Sequence, residues 1–269
     1  MPSDIRIGTQ GWNYPAWRGP FYPVGTRPDD FLRSYARAFQ TVEVDSTFYA
    51  VPSEKTVKGW AARAPDGFQF ALKLPQGITH VRRLVDARDV LESFCGAARL
   101  LGPKLGPVLM QFGPDFGPEQ RPALERFLPS LPPDVRFAIE FRRPGWLIKP
   151  ILELLREQRV ALALVEGRWL PRKKMLRLAE MPTTDFGYVR FMGPDRAIED
   201  YSRIQVDRSR ELDEWIPALE RIAQRVQTLY VYVNNHFEGH SPATASRLRG
   251  RLGMVPVDLS SLRDQAELF

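Results

Sequence analysis

Two carboxylates set at the ends of alternating segments carry most of the chemistry in this chain. They are Asp45, in Thr41-Val42-Glu43-Val44-Asp45-Ser46-Thr47, and Glu140, in Arg136-Phe137-Ala138-Ile139-Glu140-Phe141-Arg142. Alternation of apolar with polar residues is the period of a β-strand, so Glu43 and Asp45 share one strand face, as do Ala138, Glu140 and Arg142. A carboxylate held in a dry interior becomes an acid, a base or an electrostatic anchor according to its neighbours. The neighbours expected here are cationic. Glu140 is expected to pair with Lys73, Arg190 or both, which lowers its pKa and suits it to anchoring. Asp45 has less cationic company and is the better acid/base candidate.

Eight apolar or alternating runs position these residues, near 5–10, 41–47, 68–74, 107–112, 135–142, 160–165, 187–192 and 228–235. Helical periodicity fills most of the gaps, as in Phe31-Leu32-Tyr35-Ala36-Phe39 and Leu212-Trp215-Ile216-Leu219-Ile222-Val226, with expected caps at Asp29, Ser53, Asp86, Ser209 and Ser241. Eight strand-helix repeats predict an α/β fold, one (β/α)8 TIM barrel spanning 1–269, rather than a doubly wound open sheet. The sixth unit, from Gly167 to Asp185, leaves room only for a short or irregular helix. The connections from Trp12 to Pro28 and from Gly193 to Arg208 are long, a length common in functional loops. Six Gly-Pro pairs, 106–107 among them, read as turns.

In a barrel the uniformly apolar phase of each strand meets the helices, and the phase carrying polar residues faces the interior. That rule turns Glu43, Asp45, Gln69, Ala71, Lys73, Leu109, Gln111, Ala138, Glu140, Arg142, Tyr188, Arg190, Tyr230, Tyr232 and Asn234 inward. The later member of each set lies toward the C-terminal mouth, where such barrels place their active sites. Loops at that mouth add Trp12, Phe48, Tyr49, Trp146, Asn235 and His236. The candidate site is therefore Asp45 and Glu140 as catalytic carboxylates, with Trp12, Phe48, Tyr49, Lys73, Gln111, Arg142, Trp146, Arg190, Asn234, Asn235 and His236 binding substrate. Aromatic rings and guanidinium groups suit a sugar ring, a phosphate or a nucleotide. The basic block Arg168 to Lys174 reads as a solvated loop, with phosphate binding as its functional alternative.

A net charge of +6 and a pI near 9.6 favour anionic partners, although 31 arginines against 7 lysines also fit a compositional bias. No apolar run approaches the roughly 18 residues of a membrane span, no leader is evident and the single Cys95 has no partner for a disulfide, so no membrane association and a cytoplasmic location are expected. With three histidines a multi-His centre is excluded. Gly239 and Pro242 break the His236-x-x-x-His240 spacing as a helical chelate. No metal ligand is assigned, although Asp45, Glu140, His236 and His80 offer a conceivable site. No phosphate-binding Gly-x-x-x-x-Gly-Lys-Ser/Thr loop, Gly-x-Ser-x-Gly elbow or Cys-x-x-Cys pair is present, so the cofactor is left open.

Ile7-Gly8-Thr9-Gln10-Gly11-Trp12, Val42 to Tyr49, Phe70-Ala71-Leu72-Lys73-Leu74-Pro75, Glu140-Phe141-Arg142, Tyr188-Val189-Arg190-Phe191 and Asn234-Asn235-His236 resemble the YecE-like family, also called domain of unknown function 72. The likeness runs from about residue 5 to 251. It implies a single TIM barrel and no assigned reaction, and it marks Trp12, Asp45 to Tyr49, Lys73, Glu140, Arg142, Arg190 and Asn234 to His236. Glycosidases of the largest TIM-barrel clan carry glutamates at the ends of the fourth and seventh strands, where this chain has Gln111 and Arg190. The expected function is thus a hydrolase or lyase for a small anionic or phosphorylated substrate. A nucleic-acid phosphodiesterase or repair-type protein and a non-catalytic metabolite binder are the alternatives.

Overall fold

In a computed structural model describing residues 3–259, eight parallel strands close into a barrel in sequence order. They are β1 (Asp4–Gln10), β2 (Thr41–Val44), β3 (Gln69–Lys73), β4 (Leu105–Gln111), β5 (Phe137–Glu140), β6 (Val160–Gly167), β7 (Phe186–Gly193) and β8 (Thr228–Val233). β8 returns to β1 with Ile5 opposite Leu229 and Ile7 opposite Val231, so no strand edge is left open. The (β/α)8 barrel expected from the eight repeats is the fold. The terminal residues included in the expected 1–269 domain, 1–2 and 260–269, lie outside the described residues.

The helices are α1 (Phe31–Ala38), α2 (Glu54–Arg63), α3 (Arg88–Arg99), α4 (Arg121–Phe127), α5 (Lys149–Glu157), α6 (Arg172–Leu178), α7 (Ser209–Ala223), α8 (Asn235–Glu238) and α9 (Ser241–Arg251). The sixth helix is short, as its sequence requires. Residues 194–208 form no helix or strand before α7. Of the expected caps, Ser53 accepts the Thr56 N–H at 3.2 Å and starts α2. Ser209 is instead the first residue of α7, and its N–H donates to Asp207 Oδ1 at 3.0 Å. Removing the Ser53 hydroxyl in Ser53→Ala should cost about 1 kcal/mol in denaturant unfolding, and an unchanged midpoint would show that the cap contributes nothing. The Gly106-Pro107 pair lies inside β4 and not in a turn. Proline has no N–H to donate, and the β3–β4 register shifts between Phe70 and Leu72 opposite it.

Strand phase divides the core as alternation predicts. Val42, Val44, Phe70, Leu72, Val108, Met110, Ile139, Val189 and Val231 pack outward against the helices. Ala71, Leu109, Ala138, Ala161, Ala163, Phe186, Tyr188, Tyr230 and Tyr232 fill the barrel interior. The interior is lopsided. Alanines on β3, β5 and β6 leave space that large side chains from β7 and β8 cross.

Candidate active site

Across that space lies a buried ion network. Arg190 of β7 is wholly buried and donates Nη2 to Glu43 Oε1 at 2.7 Å and Nε to Glu43 Oε2 at 2.9 Å. Its Nη1 donates to Glu140 Oε2, and Arg142 Nε reaches Glu140 Oε1 at 3.3 Å. The Tyr188 hydroxyl donates to Glu43 Oε2 at 2.7 Å. Burial opposes the charge on Glu140, but Arg190, Arg142 and Lys73 outweigh it and hold the carboxyl below the usual glutamate value. The expected pairing of Glu140 with Arg190 is formed. Lys73 makes no ion pair with a carboxylate of the described residues.

Above this network opens a cavity of about 440 Å3 at the C-terminal mouth. Of the thirteen candidates, Asp45, Phe48, Tyr49, Lys73, Gln111 and Glu140 line it, as do Arg142, Asn234, Asn235 and His236. Asp45 follows the last residue of β2, half-buried, at the start of a single 3-10 turn from Ser46 to Phe48. Burial raises its pKa, the Glu43 charge adds to this, and Lys73 and Arg190 offset only part of it. Lys73 ends β3. Thr47 fixes it there by accepting its backbone N–H at 3.1 Å and donating to its carbonyl at 2.7 Å. The ammonium sits 3.8 Å from the centroid of the Phe48 ring. Burial, followed by the charge of Arg190, brings the amine down to about 8, with Glu140 and Glu43 acting in the opposite direction.

Three candidates lie elsewhere. Arg190 is beneath the floor with all its guanidinium nitrogens committed to Glu43 and Glu140, so it supports the site without facing a ligand. Trp146 is 1% exposed, stacks on Phe116 and Phe141, and donates Nε1 to the Phe116 carbonyl at 2.8 Å. It joins the loops after β4 and β5. Trp12 turns edge-on to Trp60 and Phe70. Asn235 lines the cavity, but its Oδ1 accepts the Ser241 N–H and hydroxyl at the head of α9. Asn234 likewise takes the His236 N–H at 2.8 Å and donates to Gln10.

Two loops supply residues that alternation could not reach. After β6, Arg168 and Trp169 line the cavity, with the Arg168 and Arg142 guanidinium carbons 4.4 Å and 5.5 Å from the indole centroid. After β7 come Asp195, Arg196 and Tyr201, and Tyr201 meets His236 Nε2 at 3.1 Å. Burial, then Arg196, lowers the His236 pKa, favouring the neutral ring. Gly193 ends β7 at φ 79°, and the His236 carbonyl occupies the space a side chain would need there. Neither Arg168 nor Arg196 is ion-paired to a described carboxylate. Arg172, from the same basic block, is instead held by Glu166, Glu211 and Glu214 on the outer side. Among the described residues no group of three or more His, Cys, Asp or Glu side chains is arranged as a cation site, and no helix is long and apolar enough to cross a membrane.

Fold and site define a (β/α)8 barrel with a polar, cation-rich cavity at its C-terminal mouth. The family model described as "Protein of unknown function DUF72" matches residues 6–266, and the chain belongs to that family. It is 28% identical over 251 residues to the UPF0759 protein YecE of Escherichia coli K12, covering 86% of each chain. It is 27% identical to the UPF0759 protein YunF of Bacillus subtilis, covering 98% of this chain and all of that one. A DUF72 family protein of Thermotoga maritima superposes with a TM-score of 0.78 at 26% identity, over 93% of this chain and 99% of the other. A D-allulose 3-epimerase from Methylomonas sp., crystallised with D-allulose, shares the fold at a TM-score of 0.50 and 12% identity, over 97% of this chain and 96% of the other.

Proposed function

We propose that this protein is an enzyme, a hydrolase or lyase, that takes a small anionic or phosphorylated substrate into the barrel mouth and uses Asp45 as its acid/base. The observation that carries the reading is the charge arrangement of the cavity. Lys73, Arg168 and Arg196 converge on it without carboxylate partners, facing a half-buried carboxyl whose pKa is raised. Cations left unpaired at a recessed site attract an anion, and a guanidinium offers the planar donor pair that carboxylate and phosphate accept. A volume of about 440 Å3 is in the range of small-ligand sites, which favours a metabolite over a nucleic-acid strand. Glu140, held ionised by Arg190 and Arg142, anchors the floor and Arg142.

Calorimetric titration with inorganic phosphate, then thermal-shift screening of phosphorylated and carboxylated metabolites, tests the anion site. Arg168→Ala and Arg196→Ala should each weaken phosphate by about 10- to 100-fold, as expected for losing a charge-assisted hydrogen bond of about 1.5–3 kcal/mol. For any ligand turned over, Asp45→Asn should leave binding within a few-fold and slow turnover by about 100- to 10,000-fold. An Asp45→Asn protein that turns over at the wild-type rate would remove the acid/base role.

A further inference from the structure

We propose that Lys73 is a covalent catalyst that forms an imine with the carbonyl carbon of an anionic aldehyde or ketone held in the cavity. The inference rests on the anionic-substrate reading above and narrows it to carbonyl chemistry, the lyase branch.

Placement is the first argument. Lys73 stands at the end of β3 with both backbone polar groups fixed by the Thr47 hydroxyl, so its side chain projects from a rigid point into the cavity. The second argument is company. A lysine that only balances charge sits against a carboxylate, yet Lys73 forms no such pair, although Glu43, Glu140 and Asp45 are nearby. Glu43 is taken by Arg190 and Tyr188, and Glu140 by Arg190 and Arg142. The amine instead rests on the Phe48 face, which attracts the cation but has no strong acceptor for its protons. Desolvation and neighbouring guanidinium groups are the conditions that free an amine lone pair near neutral pH.

The groups around Lys73 suit the remaining steps. Asp45 is the cavity carboxyl available to relay a proton, its pKa raised by burial and by the Glu43 charge. Arg142, Arg168 and Arg196 are placed to hold the substrate carboxylate or phosphate. In the step itself the Lys73 nitrogen attacks the carbonyl carbon and the C–O bond breaks. The departing oxygen takes one proton from the amine and one from the Asp45 carboxyl and leaves as water. Nitrogen keeps its last proton as a cationic imine, and Asp45 is left as the carboxylate. The positive imine then draws electrons from a neighbouring C–C or C–H bond, with Asp45 able to accept a released proton.

Borohydride trapping tests this without knowledge of the natural substrate. The intact protein is incubated with glyoxylate or pyruvate and cyanoborohydride, digested, and the adducts mapped by mass spectrometry. The expected result is a reduced adduct concentrated on Lys73, absent in Lys73→Arg, and formed at a rate that rises with pH about a midpoint near 8. Lys73→Arg keeps a cation beside Phe48, and circular dichroism with a cooperative unfolding transition verifies that it is folded. No Lys73 adduct, or labelling spread evenly over the seven lysines, overturns the imine. If phosphate still binds in an Arg168- and Arg196-dependent manner, the anion site stands by itself. If phosphate binding also fails, the broader reading falls with it.

Discussion

Replacing Arg190 with methionine should destabilise the fold by about 3–5 kcal/mol, the usual cost of removing one partner from a buried ion pair. The size follows from what remains. Glu43 and Glu140 are almost fully buried, and Arg190 supplies Glu43 with both guanidinium contacts and Glu140 with one. Without Arg190, Glu43 keeps only the Tyr188 hydroxyl, and Glu140 keeps the 3.3 Å contact to Arg142. Two buried carboxylates are then left with a single guanidinium contact between them. Chemical denaturation at pH 7 measures the loss, which should shrink at low pH. The wild type loses the stability of an ionised Glu140 as the pH falls through its lowered folded value, while protonation relieves the stranded charge in the variant. Adding Glu43→Gln and Glu140→Gln to the methionine variant should recover most of it, because neutral amides carry no stranded charge. A single variant as stable as wild type would mean the network does not hold the barrel together.

Replacing Lys73 with methionine should do the reverse and stabilise the protein while abolishing imine formation. The folded amine titrates near 8 and the unfolded one near 10.5. Below pH 8 the chain therefore folds against a penalty on the order of 3 kcal/mol, from two and a half pKa units at about 1.4 kcal/mol each. Between those two values the unfolded state binds more protons, so wild-type stability rises with pH. The advantage of Lys73→Met should be largest at pH 7 and disappear as the pH passes 10.5. Denaturant midpoints for the two proteins between pH 7 and 10 give the comparison. A constant gap would assign the difference to packing and leave the amine without its penalty.

How far the sequence carried the site depended on whether backbone geometry or side-chain reach decided each position. Strand period settles which way residues point, and the inward set from Glu43 to Asn234 matches the interior cluster and the cavity floor. Period says nothing about how far a long side chain extends. Period thus orients Glu43 correctly yet gives it no partner. Although charge matching pairs Arg190 with Glu140, nothing in the sequence shows that its other nitrogens reach Glu43 on β2 and leave none for a ligand. Loops lack periodicity altogether. Arg168 and Arg196 differ in the sequence from any solvated arginine only by their distance from a strand end. Trp146 shows the opposite error, for an indole just past a strand reads as rim until Phe116 and Phe141 are seen enclosing it.

Glu43, Arg190 and Glu140 come from β2, β7 and β5, distant in the chain but sharing one set of hydrogen bonds. Their inheritance is coupled as a result. Any lineage that changes one of them passes through a protein with a stranded charge, so these three positions should vary together or remain fixed. The residues at 168, 196 and 201 sit on loops outside those hydrogen bonds, so a change at any of them alters what the cavity binds without stranding a buried charge. A barrel built in this way can acquire new ligands without renegotiating its centre.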